Sequence, residues 1–493
     1  MAGALALAVA FAPAAAIMLI LLTRRAAWAE RLNLAASIIV FLAALALPVV
    51  SREAPHIYWG SYIIIDGLGA WSILCAAIVY LLASIYAVGY MRTLDEAKRL
   101  PLFYALFAAF ALTTLVGPMM NSAGVYWIAI ELTTIVSTFL VAFEHAPESI
   151  EAAWKYIIVV SGGISLALLG TVLFYWAGSF VLGPSYDMTW AALRHAAPHA
   201  NHALLLLAFL LVLIGYGTKV GLVPMHTWLP DAHSEGPAPV SALLSGALLN
   251  TAMVGIVRYL AVIDAAQVGP LPRTVLVVLG AVSLLVASLF IVRQRGIKRL
   301  MAYSSVEHMG VIALGFGFGG PLGVAGALYH MLNHSLNKSL MFFGAGSAMR
   351  SYGTKNIGGI RAVGQQFPVF GALWLAGAVA ITGAPPFGLF ASELTILRAG
   401  VGTSAAWAAF VMAVLLIVIF IGFLNHFRAM YFEPAGTEQT PGHAISAWCV
   451  VPMWGALLPL LVLGLWWPDA LWSYFAAVTQ SLGGAAPVAG GTP

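Results

Sequence analysis

The sequence predicts an all-α integral membrane protein with about 14 transmembrane helices. Of its 493 residues, 62% are hydrophobic and only 8% are charged, whereas soluble domains carry about 25% charged residues. Apolar runs long enough to cross the hydrocarbon core as helices follow one another along the whole chain. Only residues 178–202 are expected to form a sizeable loop, so no soluble domain fits between the spans. We expect the spans at about residues 4–23, 33–50, 66–90, 101–117, 122–143, 152–177, 203–231, 237–262, 272–292, 300–318, 322–349, 366–397, 403–430 and 444–467.

The Lys and Arg residues predict the orientation of these spans. Of the 22, two lie within spans, fifteen lie in or beside loops that follow odd-numbered spans, and five lie in or beside loops that follow even-numbered spans: Arg52, Arg194, Arg258, Arg273 and Arg398. Because cytoplasmic loops collect basic residues, we expect the odd-numbered loops in the cytoplasm and both termini outside. The same bias explains the net charge of +4 without nucleic acid as a partner. The first span is expected to be retained, since no basic residue precedes its apolar run.

Charged residues inside the spans are the candidates for function. A charged side chain at the centre of a bilayer costs roughly 2.5–3.5 kcal/mol, and such residues usually face a partner or a water-filled cavity. Each has two interpretations: an ion pair that holds two helices together, or a step in a proton path. The candidates well inside spans are Glu131, Lys219, Lys338 and Glu393, and Glu307 and His308 enter the tenth span near its basic start.

Prolines predict two broken helices, one beside Lys219 and one beside Glu393. In the seventh span Lys219 precedes Val220-Gly221-Leu222-Val223-Pro224, and in the twelfth Gly383-Ala384-Pro385-Pro386-Phe387-Gly388 precedes Glu393. Proline removes a backbone donor and blocks the carbonyl one turn earlier, so neither helix can be continuous. Matching breaks in two inverted halves point to a transport site. Two unrelated proline kinks are the alternative interpretation.

The breaks predict a division of the chain into two inverted five-helix repeats with flanking helices. Spans 4–8 and 9–13 form two sets that run in opposite directions, and the broken helix is the fourth in each set. We therefore expect the first three spans in residues 1–100, the first repeat in 101–262, the second in 272–430, and the last helix with a short tail in 444–493.

The eleventh span carries the sharpest local pattern. His330, His334 and Lys338 are spaced i, i+4 and i+8, so they stack along one helical face. Histidine titrates near physiological pH, and such a face can pass protons through intervening water. The alternatives are polar contacts between helices and haem ligation, which would need facing histidines that no repeated pair supplies. Because Cys75 and Cys449 stand alone in apolar runs, we expect no iron–sulfur or zinc centre and no cofactor.

Three motifs resemble one family. The segments Pro224-Met225-His226-Thr227-Trp228-Leu229-Pro230-Asp231-Ala232-His233, Lys298-Arg299-Leu300-Met301-Ala302-Tyr303-Ser304-Ser305 and His330-Met331-Leu332-Asn333-His334, the last followed by Lys338, are similar to motifs of the antiporter-like subunits of respiratory complex I, Mrp antiporters and membrane-bound hydrogenases. The resemblance extends from about residue 60 to 430. Within that family, Val306-Glu307-His308-Met309-Gly310 and Asn333-His334-Ser335-Leu336-Asn337-Lys338-Ser339-Leu340 most resemble the hydrogenase-4 component F members.

The resemblance implies roles for the residues inside the spans. It makes Glu131 and Lys219 a charge pair of the first half-channel and Glu393 the terminal carboxylate of the twelfth span. The remaining members of the implied proton path are His226, Glu307, His308, His330, His334 and Lys338. Asn250 stands where many relatives carry Lys or His, so the link between the halves would run through water there, or through Glu307 and His308.

The implied function is proton translocation by one subunit of a redox-driven complex, either hydrogenase-4/formate hydrogenlyase-like or complex I-like. Moving one proton against about 150 mV requires roughly 3.5 kcal/mol, and the chain has no nucleotide motif or redox centre to supply it. We therefore expect a non-catalytic subunit of an oxidoreductase complex, with membrane and peripheral partner subunits, in the cytoplasmic (inner) membrane of a bacterium or archaeon. The alternatives are an Mrp-type Na⁺/H⁺ antiporter module, a scaffold whose channel is interrupted at Asn250, and a membrane enzyme with its own haem or quinone chemistry.

Overall fold

The computed structural model describes residues 1–52, 54–94, 97–433 and 442–483, and nearly all of them are helical. The helices of the first half are α1 (Ala2–Thr23), α2 (Ala26–Val50), α3 (Gly67–Tyr90), α4 (Leu100–Val116), α5 (Ala123–Val141), α6 (Pro147–Leu182), α7 (Trp190–Ala196), α8 (His202–Val220), α9 (Trp228–Glu235), α10 (Ala238–Leu243) and α11 (Leu249–Ala266). A π-helical segment, Leu244–Leu248, joins α10 to α11. A two-stranded antiparallel hairpin, β1 (His56–Tyr58) and β2 (Ile63–Ile65), stands between α2 and α3.

The second half has the same character. Its helices are α12 (Leu271–Val292), α13 (Ile297–Phe318), α14 (Gly320–Tyr352), α15 (Val363–Gln366), α16 (Pro368–Ile381), α17 (Gly388–Val401), α18 (Ala406–Phe432), α19 (Ala447–Leu465) and α20 (Asp469–Ser481). Across the described chain, 11 helices are long and apolar enough to cross a bilayer. The protein is therefore an all-helical, multi-pass membrane protein, and each of the fourteen predicted runs contains at least one helix.

The centre of the bundle is polar and its periphery is apolar. The continuous segment from α10 to α11, together with α13 and most of α14, is buried, and both α13 and α14 carry buried His and Lys residues. The peripheral helices expose large apolar side chains, such as Phe139, Phe180 and Phe410. An arrangement with an apolar outside and polar groups inside is the one that a hydrocarbon solvent favours.

Both predicted helix breaks are present. Helix α8 ends at Val220 and α9 begins at Trp228, while α16 ends at Ile381 and α17 begins at Gly388. The backbone groups that a break leaves without helical partners find side-chain partners instead, as they must in a membrane. Val223 N donates to Ser283 Oγ at 3.0 Å, and Trp228 Nε1 donates to the Thr218 carbonyl at 2.7 Å.

Two short helices lie where the sequence predicted irregular structure. The expected loop at 178–202 is wrong in this respect, because α6 continues to Leu182 and α7 follows, with Thr189 accepting a hydrogen bond from Ala192 N at its start. The expected short tail within 444–493 contains α20, whose Tyr474 hydroxyl donates to the Gly67 carbonyl at 2.5 Å. Neither helix spans a membrane, so hydropathy gives no signal for them. Residues 484–493 of the tail lie outside the described residues.

Candidate functional site

The first polar cluster is centred on Lys219. This lysine stands on the last turn of α8, directly before the break, and its side chain is completely buried. Its Nζ donates to Thr134 Oγ1 on α5 and to the Tyr156 hydroxyl on α6, each at 2.8 Å. It also lies 5.1 Å from the centre of the Tyr156 ring, a cation–π contact. Three helices therefore meet around one buried ammonium group.

Glu131 reaches Lys219 through a hydroxyl and not directly. Its carboxylate accepts hydrogen bonds from Ser161 Oγ at 2.6 Å and from Thr134 Oγ1 at 3.4 Å. Thr134 thus accepts from Lys219 and donates to Glu131, which are the two roles a hydroxyl can fill together. The ion pairs found within the described residues do not include Glu131 with Lys219. The two groups interact electrostatically, and the Thr134 hydroxyl bridges them.

His233 is a buried histidine that the sequence-based site did not include. It lies on α9, is fully buried, and neither ring nitrogen has a hydrogen-bond partner among the described residues. Its ring centroid lies 6.3 Å from that of Trp228 and 5.3 Å from that of Phe342. Because Phe342 is one helical turn from Lys338, His233 lies between the Lys219 cluster and the centre of the bundle. The signal was in the sequence, since His233 closes the signature that begins at Pro224.

The end of α9 is held by Lys298. The Lys298 ammonium, 3% exposed, donates to the carbonyls of Ser234 (3.1 Å) and Gly236. A lysine at this position satisfies carbonyls that the helix terminus leaves free. His233 also interacts electrostatically with Lys298 and Lys338. His226, in contrast, lies in the break itself, 8% exposed, with its ring centroid 6.3 Å from that of Tyr303.

The second cluster surrounds Lys338. This lysine is fully buried on α14 and donates to Ser304 Oγ and to the Met301 carbonyl (3.4 Å) on α13. His334, one turn earlier, and the Glu307 carboxylate on α13 are also fully buried, and none of their polar atoms finds a hydrogen-bond partner in the described part of the chain. Glu307 interacts electrostatically with Lys338. The predicted stack of α14 therefore faces the predicted acid of α13.

Two further histidines connect this cluster to Glu393. His308 Nδ1 and His330 Nε2 share a hydrogen bond of 3.0 Å, and His330 Nδ1 is 2.9 Å from Ser392 Oγ on α17. The rings of His308 and His334 have centroids 5.5 Å apart. Ligand atoms of His308, His330 and Glu393 all lie within 4.8 Å of one another. Two histidines and a carboxylate are donors of the kind that bind zinc, and the same donors can exchange a proton.

Glu393 lies against the second helix break. A Cβ added to Gly383, whose φ is +65°, would overlap Glu393 Oε2, so a larger residue would displace this carboxylate and strain the backbone. Glu393 is 4% exposed, and it forms one wall of a cavity of about 260 Å³ between α17 and α18. The break therefore makes the space that the carboxylate occupies.

Asn250 forms a structural contact between helices. Its amide nitrogen donates to the carbonyls of Gly246 (3.2 Å) and Met331 (3.1 Å) and to Ser335 Oγ (2.9 Å). These bonds join the start of α11 to the middle of α14 beside the π-helical segment. An asparagine whose two amide N–H groups are shared among these three acceptors fixes the distance between two helices, and it cannot accept a charge.

Comparison with known proteins agrees with this fold. Residues 121–420 match the family model described as NADH:quinone oxidoreductase/Mrp antiporter, transmembrane. The hydrogenase-4 component F homolog of Methylacidiphilum infernorum (isolate V4) is 34% identical over 426 residues, which cover 84% of this chain and 88% of that protein.

Two solved structures have the same fold. One is a chain of the membrane-bound sulfane sulfur reductase, an archaeal respiratory membrane complex, with a TM-score of 0.87 at 22% identity, covering 97% of this chain and 98% of that chain. The other is a chain of the Mrp complex from Dietzia sp. DQ12-45-1b, with a TM-score of 0.86 at 21% identity, covering 98% and 97%. The protein therefore belongs to the NADH:quinone oxidoreductase/Mrp antiporter family, as one of its antiporter-like membrane subunits.

Proposed function

We propose that this chain translocates protons as one subunit of a redox-driven membrane complex of the hydrogenase-4 or complex I type. The observation that carries the proposal is a file of buried titratable side chains through the middle of the bundle. It runs from Lys219 through His233 to His334 and Lys338, and then through His308 and His330 to Glu393.

The polar atoms left without partners distinguish this file from structural ion pairs. A buried polar group without a hydrogen-bond partner costs about 1–3 kcal/mol, and charged groups inside a membrane are retained mainly for function. His233, His334 and Glu307 together hold six such atoms in the described structure. Ion pairs that merely joined helices would satisfy these atoms, as Arg273 and Asp264 do elsewhere in the chain, where Arg273 Nε donates to Asp264 Oδ1 at 3.1 Å. Water that enters between these groups during transport would conduct the proton.

The Thr134 bridge determines how much energy a closer approach of Glu131 to Lys219 would supply in the first step. Its two contacts of 3.4 and 2.8 Å hold the Glu131 carboxylate at most about 6.2 Å from Lys219 Nζ. With an effective dielectric constant of about 20, opposite charges attract by about 2.7 kcal/mol at that distance and by about 4 kcal/mol at 4 Å. Closing the bridge to a direct pair therefore supplies about 1.5 kcal/mol. The remainder of the roughly 3.5 kcal/mol needed against about 150 mV must come from partner subunits.

His233 supplies the link between the two clusters. Many family members place a titratable residue at the position of Asn250, and here the amide of that asparagine donates to the Met331 carbonyl and to Ser335 Oγ on α14. His233 offers two unpartnered ring nitrogens between Trp228 and Phe342. We infer that the proton crosses from the first half to the second at His233 and leaves at Glu393.

The proposal includes the finer architecture. We infer 14 spans, with the three flanking spans in 1–100, inverted repeats in 101–262 and 272–430, and the last helix and tail in 444–493. In this arrangement α8–α9 and α16–α17 are the equivalent broken helices, and Lys219 and Glu393 lie at equivalent ends of the path. The distribution of basic residues supports termini on the outer face of a bacterial or archaeal inner membrane, and the missing energy source supports membrane and peripheral partner subunits.

The experiment is proton translocation by the assembled complex in proteoliposomes. Glu131→Gln, Lys219→Ala and Lys338→Met should each abolish pumping while the complex still assembles. Lys98→Ala and Glu151→Gln, at exposed positions, are the matched controls and should pump normally. Undiminished pumping in Lys219→Ala or Lys338→Met would refute the path. Pumping that requires Na⁺ on the opposite side would instead favour Na⁺/H⁺ exchange.

A further inference from the structure

A second polar cavity, of about 480 Å³, lies apart from the proton path, at the end of the bundle where α2 ends and α3 begins. Helix α20 contributes Tyr474 and its last turn to the wall, and α7 contributes Trp190. These are the two short helices that lie outside the membrane spans. Trp and Tyr collect at the level of lipid headgroups, so the cavity lies at the edge of the bilayer on the side that holds the loops after even-numbered spans.

The described lining of this cavity is strongly basic. Arg52, Arg194 and Arg258 all contribute to it, and Asp66 is the only acidic residue among the lining residues that the structure describes. Three positive charges and one negative charge leave a net charge of +2 on the described lining. Basic residues are scarce on this side of the protein, with five in or beside its loops, yet three of those five meet at one cavity. Such a concentration requires a counter-charge.

The guanidinium groups of these arginines have N–H donors that no described residue accepts. Each carries five N–H donors. Arg258 uses two nitrogens on the Asp66 carboxylate, at 2.8 and 3.0 Å, and one of them also on the Pro118 carbonyl, while its Nε has no partner although the residue is 5% exposed. Arg194 donates to the Ser481 carbonyl at 2.7 Å. Arg52 makes neither a hydrogen bond nor an ion pair with any residue the structure describes.

Arg258 is held in place before any ligand arrives. The bidentate pair with Asp66 fixes its guanidinium, and the Arg258 group lies 5.6 Å from the Trp190 ring. The close approach depends on Gly69, where a Cβ would come 2.8 Å from both Asp66 Oδ1 and the Pro118 carbonyl. A fixed arginine at the base with less restrained arginines around it is a preorganised anion site.

We propose that this cavity binds a phosphate group, carried either by an anionic lipid headgroup or by free phosphate. The planar fork of a guanidinium matches two phosphate oxygens at once, and a phosphate would offset the excess positive charge. It would also connect the end of α2, α7, α11 and α20, which otherwise meet through few polar contacts. The position at the bilayer edge favours the lipid headgroup as the source.

The test uses the purified, delipidated protein within its complex. Phosphatidylglycerol, phosphatidylcholine and inorganic phosphate are added separately, and retained lipid is counted by native mass spectrometry while the melting temperature is followed. We expect phosphatidylglycerol to be retained and to raise the melting temperature more than phosphatidylcholine does. At about 1 kcal/mol for each arginine, Arg52→Gln with Arg194→Gln should weaken binding about 30-fold.

Arg398→Gln is the matched control, because Arg398 is an exposed arginine assigned to the same side and does not line the cavity. Arg52→Gln alone removes no described contact, so its effect on binding is separate from folding. Stabilisation by inorganic phosphate without retained lipid supports the phosphate site and assigns it to the free ion. Equal retention of the two lipids with no response to inorganic phosphate, or unchanged affinity in the double variant, overturns the proposal.

Discussion

Replacing His233 should raise stability and lower transport. A neutral imidazole has one donor and one acceptor, and neither has a partner within the described structure. At about 1–3 kcal/mol for each such group, His233→Phe removes a cost of at least about 2 kcal/mol. The phenyl ring would lie between Trp228 and Phe342, which already flank this position. Because the phenyl ring is slightly larger than imidazole, tighter packing would offset part of the stabilisation. We expect a net stabilisation of about 1 kcal/mol.

The same substitution removes the imidazole that lies between Trp228 and Phe342. A positioned proton-transfer group typically contributes about 10²–10⁴ in rate, so proton flux in proteoliposomes should fall at least about 100-fold. His233→Gln keeps the polarity but not the titration, and it should lose flux equally. His199→Gln, at an exposed position, is the control and should change neither the stability nor the proton flux. A variant that melts earlier and pumps normally would refute the assignment, because it would make His233 a packing residue.

Three more substitutions separate bridging, packing and transfer. Asn250→Leu removes an amide whose two N–H groups are shared among three acceptors, at about 1 kcal/mol for each N–H, and should lower the melting temperature while pumping persists; loss of pumping in a stable variant would assign the link between the halves to Asn250. Thr134→Val removes the hydroxyl between Glu131 and Lys219 and should reduce pumping with a modest cost in stability, so full activity would show that the bridge is dispensable. Gly383→Ala makes a methyl group overlap the Glu393 carboxylate and should block proton release and destabilise α17, and normal pumping would show that Glu393 has room to move.

The helix breaks and the buried lysines were predictable because their causes are local. Pro224 and Pro386 each remove a donor from the chain, and the breaks lie where they stand. Lys219 and Lys338 are charges in apolar runs, so their burial follows from the membrane alone. The sequence motifs also identified the family, which the family model confirms over residues 121–420.

The rest depended on which helices become neighbours. Nothing in the sequence of α5 distinguishes Thr134 from its neighbours, and its role exists only because Lys219 of α8 reaches it. His233 is a candidate link because α9 turns back toward α14, which brings its ring close to Phe342. Helices α7 and α20 were missed for a different reason. They lie outside the spans, where hydropathy does not indicate a helix. Helix α20 is held by the packing of Phe475 against Trp71, whose ring centroids lie 4.8 Å apart.

The histidine pair near Glu393 constrains how a proton can pass. His308 Nδ1 and His330 Nε2 are 3.0 Å apart, so one of them must donate while the other accepts, and the pair shares one proton. A proton that arrives at His308 Nε2 favours transfer of the shared proton to His330, which can then release one from Nδ1 toward Ser392, 2.9 Å away. Two positive rings with centroids 5.1 Å apart would repel each other by about 3 kcal/mol at an effective dielectric constant of about 20. In the proposed path each arrival would therefore favour a departure, so that the pair would pass protons one at a time toward α17 and Glu393.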